Sequence, residues 1–257
     1  MYKIGFIGMG NMASALMTGI IKAGYLQAND ICGADISEQA RMKANDRGIK
    51  VCENNHEVIA QSELVIVAVK PQVLESVIND VHDDLKNKAV MSIALGYDFE
   101  KYNQLLDAST RHLTIMPNTP VEVCEGMLLL EEKHSLKEEE YQFVVDMLNH
   151  IGSTQVLPSH LMNVGGALSG CGPAYLYLVI EGLADGAVKN GLPRAAAYKL
   201  ASQTVLGAGK MQLATGLHPG ILKDNVTSPG GSTIRGVKAL EDAGVRSAFI
   251  EAIDKAC

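Results

Sequence analysis

Gly8-Met9-Gly10-Asn11-Met12-Ala13 stands directly between an apolar run, Lys3 to Ile7, and a stretch from Met12 to Ala23 in which Leu16, Ile20 and Ile21 recur at helical spacing. Few arrangements restrict a chain more. A strand that turns through G-x-G-x-x-A into a helix opens a βαβ unit. The first glycine permits the tight turn, the second lets the backbone approach a pyrophosphate, and the small Ala13 lets helix and strand pack closely. The pattern predicts an α/β fold whose N-terminal part is a Rossmann-like dinucleotide-binding domain, with Gly8, Gly10, Asn11, Met12 and Ala13 around the cofactor and Gly24 closing the first helix.

The alternation of short apolar runs with helical patterns continues. Strands are expected at Ile31 to Ala34, Leu64 to Val69 and Ala89 to Ile93, and Leu113 to Met116, Met127 to Leu130 and Thr154 to Leu157 can extend a parallel sheet. Ser37 to Arg47 reads as a helix, as does Leu136 to His150 with Glu138, Glu139 and Glu140 in its first turn. This domain spans residues 1–158. From Leu161 onward the alternation stops and helical patterns take over at Pro173 to Asn190, Pro193 to Thr215, Ser232 to Ala243 and Val245 to Cys257, so residues 159–257 are expected to form an all-α domain. Its Ala195-Ala196-Ala197 and Leu206-Gly207-Ala208-Gly209 segments leave few clear solvent faces, which favours an oligomer interface over a lid on the first domain.

Two further positions lie where open α/β sheets bind ligands, at the carboxyl ends of strands. Asp35 follows the second strand. A carboxylate there accepts hydrogen bonds from adenosine ribose hydroxyls and repels a 2′-phosphate, which favours NADH, whereas Arg41 and Lys43 in the next helix can neutralise such a phosphate. NADPH and NADH both stay open. In Ala68-Val69-Lys70-Pro71 the proline suits a first helical turn, leaving Lys70 either facing a ligand or as a solvated strand end.

The segment His218 to Gly236 looks built to hold a small anion. Ser228-Pro229-Gly230-Gly231 can expose several N–H groups, and Ser232 and Thr233 offer capping hydroxyls before Ile234, Val237 and Leu240. Free N–H groups at a helix start favour a carboxylate or a phosphate. An ordinary glycine-rich turn with an N-cap accounts for the same residues.

Composition excludes several classes of function. A net charge of −7 and no basic run argue against a nucleic-acid partner. Cys32, Cys52, Cys124, Cys171 and Cys257 are scattered without a C-x-x-C pair, so no metal site is expected and the thiols read as free, in a reducing compartment. The chain enters its first apolar run directly after Met1-Tyr2, and no uninterrupted apolar stretch looks long enough for a bilayer. A cytoplasmic protein without membrane association is the expectation.

Taken together, Gly8 to Met12, Ala68 to Pro71, Met116-Pro-Asn-Thr-Pro120, Ser169-Gly-Cys-Gly-Pro-Ala-Tyr175 and the segment from His218 to Gly236 resemble the pyrroline-5-carboxylate reductase family, over almost the whole chain. The resemblance implies a Rossmann domain, a helical dimerisation domain and a homodimer or an assembly of dimers. It implies reduction of 1-pyrroline-5-carboxylate to L-proline with NADPH or NADH. Asn55, Ala68, Val69, Lys70 and Pro71 would border the cofactor, and Asn225, Ser228, Gly230, Gly231 and Thr233 the substrate. Cys171, Leu95 and Asp35 depart from the family's pattern.

The implied substrate is a cyclic imine with one carboxylate, which suits N–H donors at Gly230 and Gly231. Imines accept hydride more readily when the nitrogen is hydrogen-bonded or protonated. Thr233 is the candidate for that contact, orienting and polarising while solvent supplies the proton. His218 reads as a loop entry and not as a base. A 3-hydroxyacid dehydrogenase is the first alternative, but it calls for a lysine early in the interdomain helix, and Leu161 to Glu181 contains none. A non-enzymatic nucleotide-binding regulator is the second.

Overall fold

The computed structural model describes all residues, Met1 to Cys257. The chain divides into two units, Met1–Gly170 and Cys171–Cys257. In the first, one sheet of eight strands carries everything else. Its order is β3-β2-β1-β4-β5-β6-β7-β8, with β1 at Tyr2–Ile7, β2 at Ile31–Ala34, β3 at Lys50–Val51, β4 at Ser62–Val67, β5 at Ala89–Ser92, β6 at Arg111–Met116, β7 at Gly126–Glu131 and β8 at Gly152–Leu157. Helices α1 (Asn11–Lys22), α2 (Glu38–Asp46), α3 (Asn55–Gln61), α4 (Pro71–Asp80), α5 (Phe99–Leu105) and α6 (Glu138–His150) connect the strands, and α7 (Met162–Ser169) closes the unit.

Strands β2 and β5 are buried along their whole length, as expected of a sheet covered on both faces. One face packs Leu16, Met17 and Ile20 of α1 and Val144, Met147 and Leu148 of α6 against Ile4, Phe6 and Ile66. The other packs Val58 and Ile59 of α3, Leu74 and Ile78 of α4 and Tyr102 of α5 against Ile7, Val65 and Val90.

The sheet corrects one expectation: β7 runs antiparallel to β6, and β8 runs parallel to β7. Between β6 and β7 lies only a short 3-10 turn, Thr119–Val123, too little chain for a crossover, so the strand must return in the opposite direction. The two-residue strand β3 had no sequence signature because so short a run shows no alternation. Helix α7 stays with the sheet because Gly165 abuts Leu129 and Leu157 while Gly166 abuts Met116.

The second unit consists of α8 (Gly172–Lys189), α9 (Arg194–Thr215), α10 (Pro219–Asn225), α11 (Ser232–Asp242) and α12 (Val245–Ala256). Only three alanines, Ala184, Ala197 and Ala201, form its buried cluster. Leu178, Leu206 and Leu213 are 68%, 50% and 83% exposed. A second correction concerns the stretch Ser159–Lys189, which with a mean hydropathy of 1.2 is long and apolar enough, by length and composition alone, to cross a membrane. Its apolar character was hidden in the sequence by the Ser169-Gly170-Cys171-Gly172-Pro173 interruption, and α8 carries Glu181 and Asp185 within it.

Candidate active site

At the carboxyl edge of the sheet, β1 and β4 lie side by side where the strand order reverses, the place that binds ligands in folds of this type. The strand ends are knitted together: Gly8 N–H donates to Ala34 O at 2.9 Å, and Ala68 N–H donates to Ile7 O at 2.8 Å. Gly8 has φ +90°, and a Cβ there would lie 2.8 Å from Ala68 O, so conformation and space both demand glycine. Gly10 is the N-cap of α1. No side chain caps this helix and nothing lies within 4 Å of where a Gly10 Cβ would be. The N–H groups of Asn11 and Met12 have no carbonyl within the helix to reach. Ala13 is buried, which brings α1 close to the sheet. An uncapped helix start facing a space that side chains leave open fits a dinucleotide pyrophosphate.

Around this cradle the structure brings together most of the residues named from sequence. Asp35 is half-buried at the end of β2, its Oδ2 accepting from Met9 N–H at 2.6 Å and its Oδ1 from Ser37 N–H at 2.7 Å. The Arg41 guanidinium turns back to the carbonyls of Asp35 and Ile36, at 2.8 and 2.9 Å. Asn55 is the first residue of α3, and its neighbour Asn54 performs the capping by accepting from Glu57 N–H at 2.9 Å, which leaves the Asn55 amide without an internal partner. Ala68 and Val69 are half-buried, Lys70 is the exposed N-cap of α4 without an ion-pair partner, and Pro71 is the first helical residue.

In the second unit, His218 enters not a loop but a short helix, α10. His218 is the N-cap of α10, its Nδ1 accepting from Gly220 N–H at 3.0 Å, which gives the ring a capping role. Asn225 ends α10, with Ser228, Pro229, Gly230 and Gly231 forming a turn beyond it. Gly230 has φ +70° behind the proline, as a type II turn requires. The turn is closed by Gly231 N–H donating to Ser228 O at 3.0 Å. That bond corrects part of the expected anion site: the Gly231 N–H is engaged, and the donors without a partner are those of Gly230 and of Ser232 and Thr233 in the first turn of α11. The N-cap is Gly231 and not a hydroxyl residue; no side chain caps α11, so the Thr233 hydroxyl, exposed at the second helical position, is free to meet a ligand.

Sequence reasoning missed Asn118 as a structural clamp. Its Oδ1 accepts from Met127 N–H and its Nδ2 donates to Ser169 O, both at 2.9 Å, tying the end of β6 to β7 and to α7. Its place between two prolines was the only local hint. Among the helices and strands no group of three or more potential metal ligands comes together.

Comparison with known proteins agrees with this geometry. Residues 159–257 match the family described as pyrroline-5-carboxylate reductase dimerisation, and residues 3–96 match the family described as NADP oxidoreductase, coenzyme F420-dependent. The chain is 42% identical to a pyrroline-5-carboxylate reductase of Methanosarcina acetivorans, covering 99% of this chain and 95% of that one. It is 41% identical to that of Arabidopsis thaliana, covering 98% and 92%. The crystal structure of Plasmodium falciparum pyrroline carboxylate reductase with NADP bound superposes with a TM-score of 0.91 at 32% identity, over 100% of this chain and 95% of that one.

Proposed function

Because the chain belongs to the pyrroline-5-carboxylate reductase family, we infer that it reduces 1-pyrroline-5-carboxylate to L-proline, the last step of proline biosynthesis. The cofactor is NAD(P)H, which when bound supplies the hydride. The chain's own part is to bind, orient and polarise. Gly8 to Ala13 hold the pyrophosphate at the open start of α1, and Asp35, Asn55 and Ala68 to Pro71 border the rest of the cofactor.

The substrate carboxylate is assigned to the Ser228–Gly231 turn and the start of α11, where the free N–H groups of Gly230, Ser232 and Thr233 and the positive end of the helix dipole favour an anion. This uncapped, glycine-turned helix start is the observation that carries the assignment. Ser228 Oγ lies against Gly231, where a Cβ would come within 2.5 Å of it, so glycine leaves room for that hydroxyl to act beside the N–H groups. Asn225 and Thr233 border the same turn. The Thr233 hydroxyl donates to the imine nitrogen, drawing electron density from the C=N carbon, and solvent delivers the proton that completes the amine. The imine reaction needs no base to remove a proton, in keeping with the capping role of His218 and the absence of lysine between Leu161 and Glu181.

Residues 159–257 match the dimerisation family, and the exposed apolar faces of α8 and α9 in the single chain support a homodimer or an assembly of dimers. The five free cysteines suit a reducing compartment, and the cytoplasm is the proposed location. The test is NAD(P)H oxidation with 1-pyrroline-5-carboxylate against a panel of 3-hydroxyacids and a blank, with proline identified as product. Turnover confined to the imine is expected; turnover on a hydroxyacid, or on nothing, defeats the reading.

A further inference from the structure

We propose that this enzyme prefers NADH to NADPH and that Asp35 is the residue that discriminates, an inference that rests on reading Gly8 to Ala13 as the cofactor cradle. The two carboxylate oxygens of Asp35 are tied to two different loops, Oδ2 to Met9 N–H at 2.6 Å and Oδ1 to Ser37 N–H at 2.7 Å. Met9 lies between Gly8 and Gly10, so the side chain is fastened to the cradle itself. It cannot rotate away to admit a second anion without releasing both donors.

These donors matter for what else could bind. A 2′-phosphate beside the end of β2 needs N–H and O–H groups to receive its oxygens. The Ser37 N–H already belongs to Asp35, and the Ser37 hydroxyl accepts from Ala40 N–H at 3.3 Å as the cap of α2. Asp35 therefore fills, with the chain's own carboxylate, the anion position that this turn provides. Each carboxylate oxygen keeps a lone pair, so the side chain can still accept from a ribose hydroxyl, the uncharged group that NADH presents there.

The opposing charge is Arg41. One nitrogen of its guanidinium, Nη1, is committed to the carbonyls of Asp35 and Ile36 at 2.8 and 2.9 Å, which anchors the group to the main chain beside the carboxylate. Like charge on the pinned carboxylate and the engagement of the Ser37 N–H both count against the phosphate. The outer edge of Arg41, the Ser37 hydroxyl hydrogen and Lys43 are what remains to receive it.

Calorimetric binding of NAD+ and NADP+ to the native protein, together with kcat/KM for NADH and NADPH, tests this. NAD+ is expected to bind at least about tenfold more tightly, with kcat/KM in the same order. Equal or tighter binding of NADP+ overturns the proposal. Asp35→Asn, checked for folding by thermal melting, is expected to narrow the ratio by about fivefold or more through tighter NADP+ binding, and an unmoved ratio removes Asp35 as discriminator. Arg41→Ala is expected to weaken both cofactors alike; selective loss of NADP+ binding would assign the discrimination to Arg41 instead. Should Asp35→Asn fail to fold, the native ratio and Arg41→Ala still decide. A protein that binds NAD+ preferentially but does not reduce the imine would defeat the assigned reaction and leave this inference intact.

Discussion

Nε2 of His112 donates to Oδ1 of Asn103 at 3.0 Å, while the opposite ring nitrogen, Nδ1, is buried without a partner. The ring stacks on Phe99 with centroids 4.6 Å apart, and Phe99 in turn donates its N–H to the buried carboxylate of Glu131 at 3.1 Å. Burial pushes the pKa of His112 down from 6.5 to about 4. A neutral imidazole is thus built into the packing of α5 on the sheet.

This makes stability depend on pH in a predictable direction. Between pH 6.5 and about 4 the unfolded chain binds a proton at His112 that the folded one refuses. The contribution is complete above the upper value and is lost as pH falls toward the lower one, by roughly 3 kcal/mol in total. Urea unfolding of the native protein and of His112→Phe across this window measures it. The variant should show a shallower decline, and parallel curves would sink the idea.

The two glycines of the cradle should separate folding from cofactor binding. Gly8→Ala forces a Cβ to 2.8 Å from Ala68 O at φ +90°, so a loss of about 2–3 kcal/mol in stability is expected along with cofactor binding. Gly10→Ala has φ −66° and open space, so the melting temperature should hold while NAD(P)H affinity falls. Thermal melts and fluorescence titration check both, and equal destabilisation by the two changes would contradict the geometry.

Thr233→Ala should lower kcat by about ten- to a hundredfold with cofactor affinity unchanged, and Thr233→Ser should restore most of it, because the hydroxyl and not the methyl is assigned to the imine nitrogen. Steady-state kinetics with varied imine and varied NAD(P)H distinguish this from a cofactor effect. Undiminished turnover in the alanine variant would remove Thr233 from the chemistry.

The second unit should be stable only in company. Three buried alanines cannot offset the ordering of five helices, so light scattering is expected to give at least twice the chain mass of 27.4 kDa. Leu178→Glu combined with Leu206→Glu, at positions 68% and 50% exposed in the single chain, should shift the mass downward and lower the melting temperature. An unshifted mass and melting temperature would place the interface elsewhere.

Local signals settled much of this protein. Gly8, Gly10 and Ala13 were legible as a cradle because the turn they make depends on their own backbones and lack of side chains. Helices α8 and α9 were legible because their patterns run through many turns without competition. The partners of Asp35 were not, since Met9 is distant in sequence and only pairing of β1 with β2 brings it near. Nor was the direction of β7, which follows from how little chain joins it to β6. His112 and Glu131 would be surface residues by polarity, yet they lie 2% and 1% exposed, because strand pairing and α5 cover them whatever their chemistry. Local conformations and periodic faces were legible in advance, since those are properties of neighbouring residues. Which polar groups meet, which donors remain free and which charges are pinned were decided by tertiary structure, because each requires two distant segments to arrive at one place.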